Sequence, residues 1–145
     1  FHLMPNGVFQ VFRDGRSEIV TSDRWKPSAD IRLATQSGPM LVIDGKLHPA
    51  FDHDGRSRHI RNGVGIGPDG RPRFVISQDA VSLGKFARFF RDALGSRDAL
   101  FFDGAVSALW DPANYRRDRT VPLGPIIVVF KPAASTPGRE GRARP

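Results

Sequence analysis

Apolar positions in the first half of the chain fall in short runs, and three of the breaks between them carry an Asp-Gly pair. Residues 8–13 and 18–21 flank Asp14-Gly15, residues 40–43 and 46–49 flank Asp44-Gly45, and residues 64–66 and 72–77 flank Asp69-Gly70. Asp-Gly between apolar runs is a strong hairpin signal, because both residues tolerate the backbone conformations that tight turns demand. Three such hairpins within the first 77 residues predict a largely antiparallel sheet. Their spacings and flanks differ too much for a sequence repeat.

One later stretch follows a helical period instead. Leu83, Phe86, Phe89, Phe90, Ala93 and Leu94 recur at helical spacing, with Lys85, Arg88, Arg91 and Asp92 mostly on the other side. Ser82 suits the N-cap and Gly95 the residue after the C-terminus, so residues 82–94 are predicted to form a helix with Phe86, Phe89 and Phe90 in the core. Residues 99–102 then read as a buried strand. Residues 121–130 read as another, starting late or lying at an edge because Pro122 and Pro125 lack an amide donor. Residues 25–30 and 111–120 read as polar loops. The expected fold is α+β: an antiparallel-rich mixed sheet with one main amphipathic helix packed on it.

Composition narrows this picture. With 145 residues and 39% hydrophobic content, the chain can build one domain with a real core. The absence of cysteine excludes a disulfide framework, a thiol nucleophile and the cysteine-based zinc classes. A formal charge of +7 and a pI near 11.0 raise nucleic acid as a partner. Against that, Arg139, Arg142 and Arg144 lie in a stretch rich in Pro, Ala, Ser and Gly, and most other basic residues alternate with acids. The domain is therefore expected to span residues 1–131, with residues 132–145 a disordered basic tail. Only Arg56, Arg58, His59 and Arg61 form a local basic cluster. No run approaches the roughly 20 apolar residues of a membrane helix. The chain starts at Phe1 without a signal-peptide pattern, which reads as a processed chain or fragment lacking an N-terminal, strand-rich piece.

Four places carry candidate chemistry. The first is Leu100-Phe101-Phe102-Asp103-Gly104, a strand-like apolar run that ends in an acid. A carboxylate beside buried apolar surface must find donors or sit where charge is used. Gly104 would let a ligand approach the backbone, and Ser107 could add a hydroxyl. The second is Arg61-Asn62-Gly63-Val64-Gly65, in which Arg61 offers a planar fork of donors for a phosphate or carboxylate and Asn62 a further amide. It is not a dinucleotide fingerprint, because a hairpin rather than a helix follows it. The third is Ala34-Thr35-Gln36-Ser37-Gly38-Pro39, polar groups placed just before a buried strand, and the fourth is Asn6-Gly7. His2, His48, His53 and His59 lack metal-ligand spacing, and no Gly-x-Ser-x-Gly elbow occurs, so neither a metal nor a cofactor is expected.

Taken in order, Pro5-Asn6-Gly7-Val8-Phe9, the stretch from Ala34 through Gly38-Pro39 to Val42, Arg61-Asn62-Gly63-Val64-Gly65, and Ala99 through Asp103-Gly104 with Ser107 resemble the bacterial branch of the phosphodiester glycosidase family. A lysosomal member removes N-acetylglucosamine from a phosphodiester on mannose. The resemblance covers residues 5–130 and implies an α+β hydrolase acting on a sugar-1-phosphodiester, in a periplasmic or exported setting. It implies Asp103 and Arg61 as catalytic residues, with Asp103 the base or nucleophile and Arg61 the phosphate binder. Gln36, Ser37, Asn62, Asn6, Gly104 and Ser107 are implied as substrate-binding. Two departures stand out: Ala105 replaces a second glycine found after Asp-Gly in many members, and an Asn-Gly-Gly region that usually comes first is not in this sequence. Glycoside cleavage usually needs two carboxyl groups, and only Asp103 is well placed. The alternatives are a catalytically silent carbohydrate or anionic-glycan binding module and, third, nucleic-acid binding by the basic surface. An N-terminal fragment of the same protein or a second copy of the chain is the expected protein partner.

Overall fold

The computed structural model describes residues 3–103, 106–119 and 126–130. The first hairpin forms where Asp14-Gly15 places it, with β1 (Gly7–Phe12) antiparallel to β2 (Ser17–Thr21). β3 (Ile31–Ser37) takes the other edge of β1, giving a sheet in the order β2-β1-β3. The second hairpin joins β4 (Met40–Ile43) to β5 (Lys46–Leu47), and the third joins β6 (Asn62–Ile66) to β7 (Pro72–Ile76). At the second turn both central residues have positive φ, Asp44 at 49° and Gly45 at 78°, as a tight turn matched to strand twist requires.

The helix begins where its cap predicts. Ser82 accepts from the Lys85 amide at 3.1 Å, α1 (Leu83–Arg88) follows, and a wider π turn carries the chain through Phe89–Ala93. Gly95 then takes φ 65°. After it, β8 (Ala99–Asp103) inserts between β4 and β6, completing a sheet in the order β5-β4-β8-β6-β7. Every described pair of strands is antiparallel, which fits the expected α+β architecture.

Two apolar clusters hold three layers together. Phe9 and Ile19 of the three-stranded sheet meet Met40, Val64 and Leu100 of the five-stranded sheet. On the other face Leu41, Val42, Ala99 and Phe101 pack against Phe86, Ala87 and Phe90 of the helix. Leu41 and Val42 share that face because β4 carries an irregularity between Met40 and Val42, which upsets the usual alternation. Phe86 and Phe90 meet edge to face at 5.2 Å. The close approach of these rings depends on two glycines in β6. A Cβ at Gly65 would lie 2.5 Å from Phe90 Cδ1, and one at Gly63 would lie 3.3 Å from Phe86 Cε1 and 2.6 Å from the Leu100 carbonyl.

Three expectations are corrected. Phe89 is 45% exposed rather than in the core, because the buried face is centred between Phe86, Ala87 and Phe90 and Phe89 lies roughly a third of a turn away from it. Ile126, Ile127, Val128, Val129 and Phe130 form no strand and are exposed; an apolar run becomes a strand only when another strand takes its backbone groups, and no described residue does so. The rest of that expected strand, residues 121–125, lies outside the described residues, as does the expected tail. The expected loop at 111–120 instead contains a small hairpin, β9 (Trp110–Asp111) and β10 (Arg116–Arg117), around a 3-10 turn at Pro112–Asn114. Many surface cations pair with acids, among them Arg16 with Asp14, Arg58 with Asp54 and Arg91 with Asp92, consistent with a mixed surface rather than a basic stripe.

Replacing Gly65 by Ala is expected to lower stability by about 1–3 kcal/mol, the usual cost of overpacking a tight core. Urea unfolding measures it, and an unchanged midpoint would mean that helix and sheet do not meet this closely.

Candidate active site

The site is built on the end of β8. Ala99 and Leu100 are fully buried and Phe101 nearly so, which fixes the strand between two layers up to the point where Asp103 ends it. Asp103 pairs in register with Asn62 at the start of β6, and the ladder slips by one residue between Asn62 and Gly63, so Phe102 is the extra residue of β8 there. Such a bulge re-aims a strand end. Asp103 is described by this backbone placement, and Gly104 and Ala105 lie outside the described residues.

Three small polar side chains gather around that end. Ser37, buried at the end of β3, donates to the Phe102 carbonyl at 2.7 Å. Asn62 Nδ2 donates to Ser107 Oγ at 2.7 Å, and Ser107 Oγ donates in turn to the Ile60 carbonyl at 3.1 Å. Ser107 thus ties the chain that follows Asp103 back onto the entry to β6.

Arg61 and Gln36 point elsewhere. Arg61 is 3% exposed and turns its guanidinium to the helix side, 5.4 Å from the Phe101 ring centroid. Its Nε donates to the Val81 carbonyl at 2.8 Å and one terminal nitrogen to the Ser57 carbonyl at 2.9 Å. Burial pushes its pKa down from the usual arginine value, but arginine starts so high that it stays cationic. It lines a cleft of about 170 Å³ with Asp52, Arg56, Ser57, Ser82 and Gly84. Asn62, next in sequence, shares a face with Val64 between the two sheets, since successive strand residues alternate. The same alternation separates Ser37, turned to β8, from the exposed Gln36, whose amide donates to Ser22 Oγ at 3.3 Å.

Asn6 stands beside this region. A Cβ at Gly38 would lie 2.0 Å from Asn6 Oδ1, so glycine is required for the two loops to touch. That oxygen is buried with no hydrogen-bond partner among the described residues, and Asn6 lines a hollow of about 310 Å³ with Thr21, Ser22, Asp23, Arg24 and Ile43.

His48 is structural. Its ring is buried, Nδ1 accepts from the Ala50 amide at 3.2 Å and Nε2 lies 2.8 Å from the Met4 carbonyl, which assigns the proton to Nε2. Among the described residues, no three of His, Asp and Glu gather as a metal-ligand group, and no helix is long and apolar enough to cross a membrane.

The sequence pattern of the phosphodiester glycosidase family matches residues 3–130. The chain belongs to that family. It is also 38% identical over 110 residues to the uncharacterized protein YigE of Escherichia coli strain K12, a match that takes in 76% of this chain and 43% of YigE. The chain therefore spans less than half the length of that relative. Membership supports a glycosidase-type function and a glycan-type substrate in general terms.

The Asn62–Ser107 bond gives this geometry a direct check. Ser107→Ala and Asn62→Ala should each lower stability by about 0.5–1.5 kcal/mol, and the double variant should cost clearly less than their sum. Additive losses would show that the two side chains do not meet in solution.

Proposed function

We propose that the chain hydrolyses a sugar-1-phosphodiester at the end of β8. The observation that carries this reading is a doubly buried strand that ends at Asp103, its backbone paired with Asn62 and its end tied by the Ser37–Phe102 and Asn62–Ser107 hydrogen bonds, in a chain of the phosphodiester glycosidase family. Asp103 is the catalytic carboxylate. As base it takes a proton from water, whose oxygen attacks the anomeric carbon; as nucleophile it attacks that carbon itself, and water then cleaves the glycosyl ester. In either course the bond from the anomeric carbon to the phosphate oxygen breaks and the phosphate keeps the electron pair. A phosphate is a good leaving group, so the demand on a second acid is small, and a positive charge nearby lowers it further.

Asn62 and Ser107 orient the sugar, and Ser37 holds the β8 end in place. Arg61 contributes its charge from behind the strand rather than by gripping the phosphate, because it is buried on the helix side, held there by the Val81 and Ser57 carbonyls. Asn6 and Gln36 lie toward the neighbouring hollow and would meet the aglycone side of a longer substrate. A substrate of this kind on an exported bacterial polymer or glycolipid would place the protein in the periplasm or outside the cell.

Turnover of a panel of sugar-1-phosphodiesters by the 145-residue chain tests the reading. Asp103→Ala should reduce kcat by at least about 10²-fold, the smaller end of what a positioned acid or base contributes, without changing the unfolding midpoint. Unchanged turnover in that variant removes Asp103 from the mechanism. Binding without turnover by the parent chain would favour a silent glycan-binding module.

A further inference from the structure

Three residues beyond Ser107 the chain enters the β9–β10 hairpin, which exposes more aromatic surface than its size needs. Trp110 is 70% exposed and Tyr115 97% exposed. Exposed aromatic rings gain nothing for folding, yet the hairpin that presents them is well ordered by polar contacts. Arg116 Nε lies 3.2 Å from both oxygens of Asp118, and its Nη2 lies 3.0 Å from one of them. That carboxylate also accepts from the Leu109 amide at 2.9 Å, while Asn114 holds Asp111 at 2.6 Å. Tyr115 moreover sits at φ 55°, a left-handed conformation usually left to Gly or Asn. A bulky residue held there at a turn is the kind of local strain that concentrates at ligand sites.

Position links this hairpin to the β8 end. Ser107 is anchored to Asn62 and Ile60, and three residues of chain span at most about 11 Å, so the backbone of Trp110 stays within about that reach of the anchored residue. Arg117, exposed, is the cross-strand partner of Trp110. An apolar ring face beside a guanidinium matches the two halves of a sugar phosphate: C–H groups of a pyranose face lie against an indole, and the guanidinium pairs with phosphate oxygens.

We propose that this hairpin is a substrate-binding wall of the site, with Trp110 stacking on a pyranose ring and Arg117 meeting its phosphate. The proposal rests on the glycosidase reading above and adds the residues that hold the sugar. Tyr115, at the tip, extends the wall toward a second ring.

Two arms separate the proposal from that reading. In a Trp25→Phe background Trp110 is the one remaining tryptophan, and its emission is followed as N-acetylglucosamine 1-phosphate, glucose 1-phosphate, galactose 1-phosphate or inorganic phosphate is added. A blue shift and protection from acrylamide quenching are expected with at least one sugar phosphate and not with inorganic phosphate. In the kinetic arm, Trp110→Ala should raise KM about three- to tenfold with kcat little changed, and Trp110→Phe should recover most of the loss. Protection without any hydrolysis upholds the wall and overturns the hydrolase reading. Hydrolysis with KM unchanged in Trp110→Ala upholds that reading and overturns the wall. Trp110 emission indifferent to every sugar phosphate, with no hydrolysis, overturns both.

Discussion

The whole arrangement depends on β8 being buried on both faces. Leu100 packs into the core between the sheets and Phe101 into the core beneath the helix, while β4 and β6 pair with its two edges. A strand held on four sides cannot slide, because a shift by one residue would exchange its two side-chain sets between the cores. The acid at its end is consequently delivered to one place. Gly63 and Gly65 are the counterpart of this constraint: without side chains they let Phe86 and Phe90 settle onto the sheet next to β8.

What was legible in the sequence was what local chemistry decides. The Asp-Gly turns, the Ser82 cap and the Gly95 stop act within a few residues, and each appears where its letters put it. β3 was not legible, because Leu33 faces solvent and the strand is defined by pairing with β1 rather than by a buried face of its own. The β9–β10 hairpin reads as polar loop for a similar reason, being held by Arg116, Asp118 and Asn114 instead of by apolar packing. The run at residues 126–130 shows the opposite failure: apolar letters alone do not supply the second strand that a ladder needs.

The candidate site was legible in its members more than in their directions. Ser37, Asn62 and Ser107 are small polar residues next to buried strands, and they do meet at the β8 end. Arg61 and Gln36 are each one residue from a member of that cluster, and strand alternation turns them to the opposite face. Sequence proximity cannot decide this, since a single-residue offset reverses the outcome. Trp110 and Tyr115 offered a signal that could have been weighed, aromatic rings in an otherwise polar stretch shortly after the acid.

The most direct test is a map of backbone amide chemical shifts during titration with a sugar 1-phosphate. A ligand at the end of β8 should shift Ser37, Asn62, Asp103 and Ser107 together, with Trp110 following, and leave the helix-side cleft around Asp52 and Ser82 unmoved. Shifts confined to that cleft, or to the hollow of Asn6, Ser22 and Asp23, would contradict a site at the β8 end.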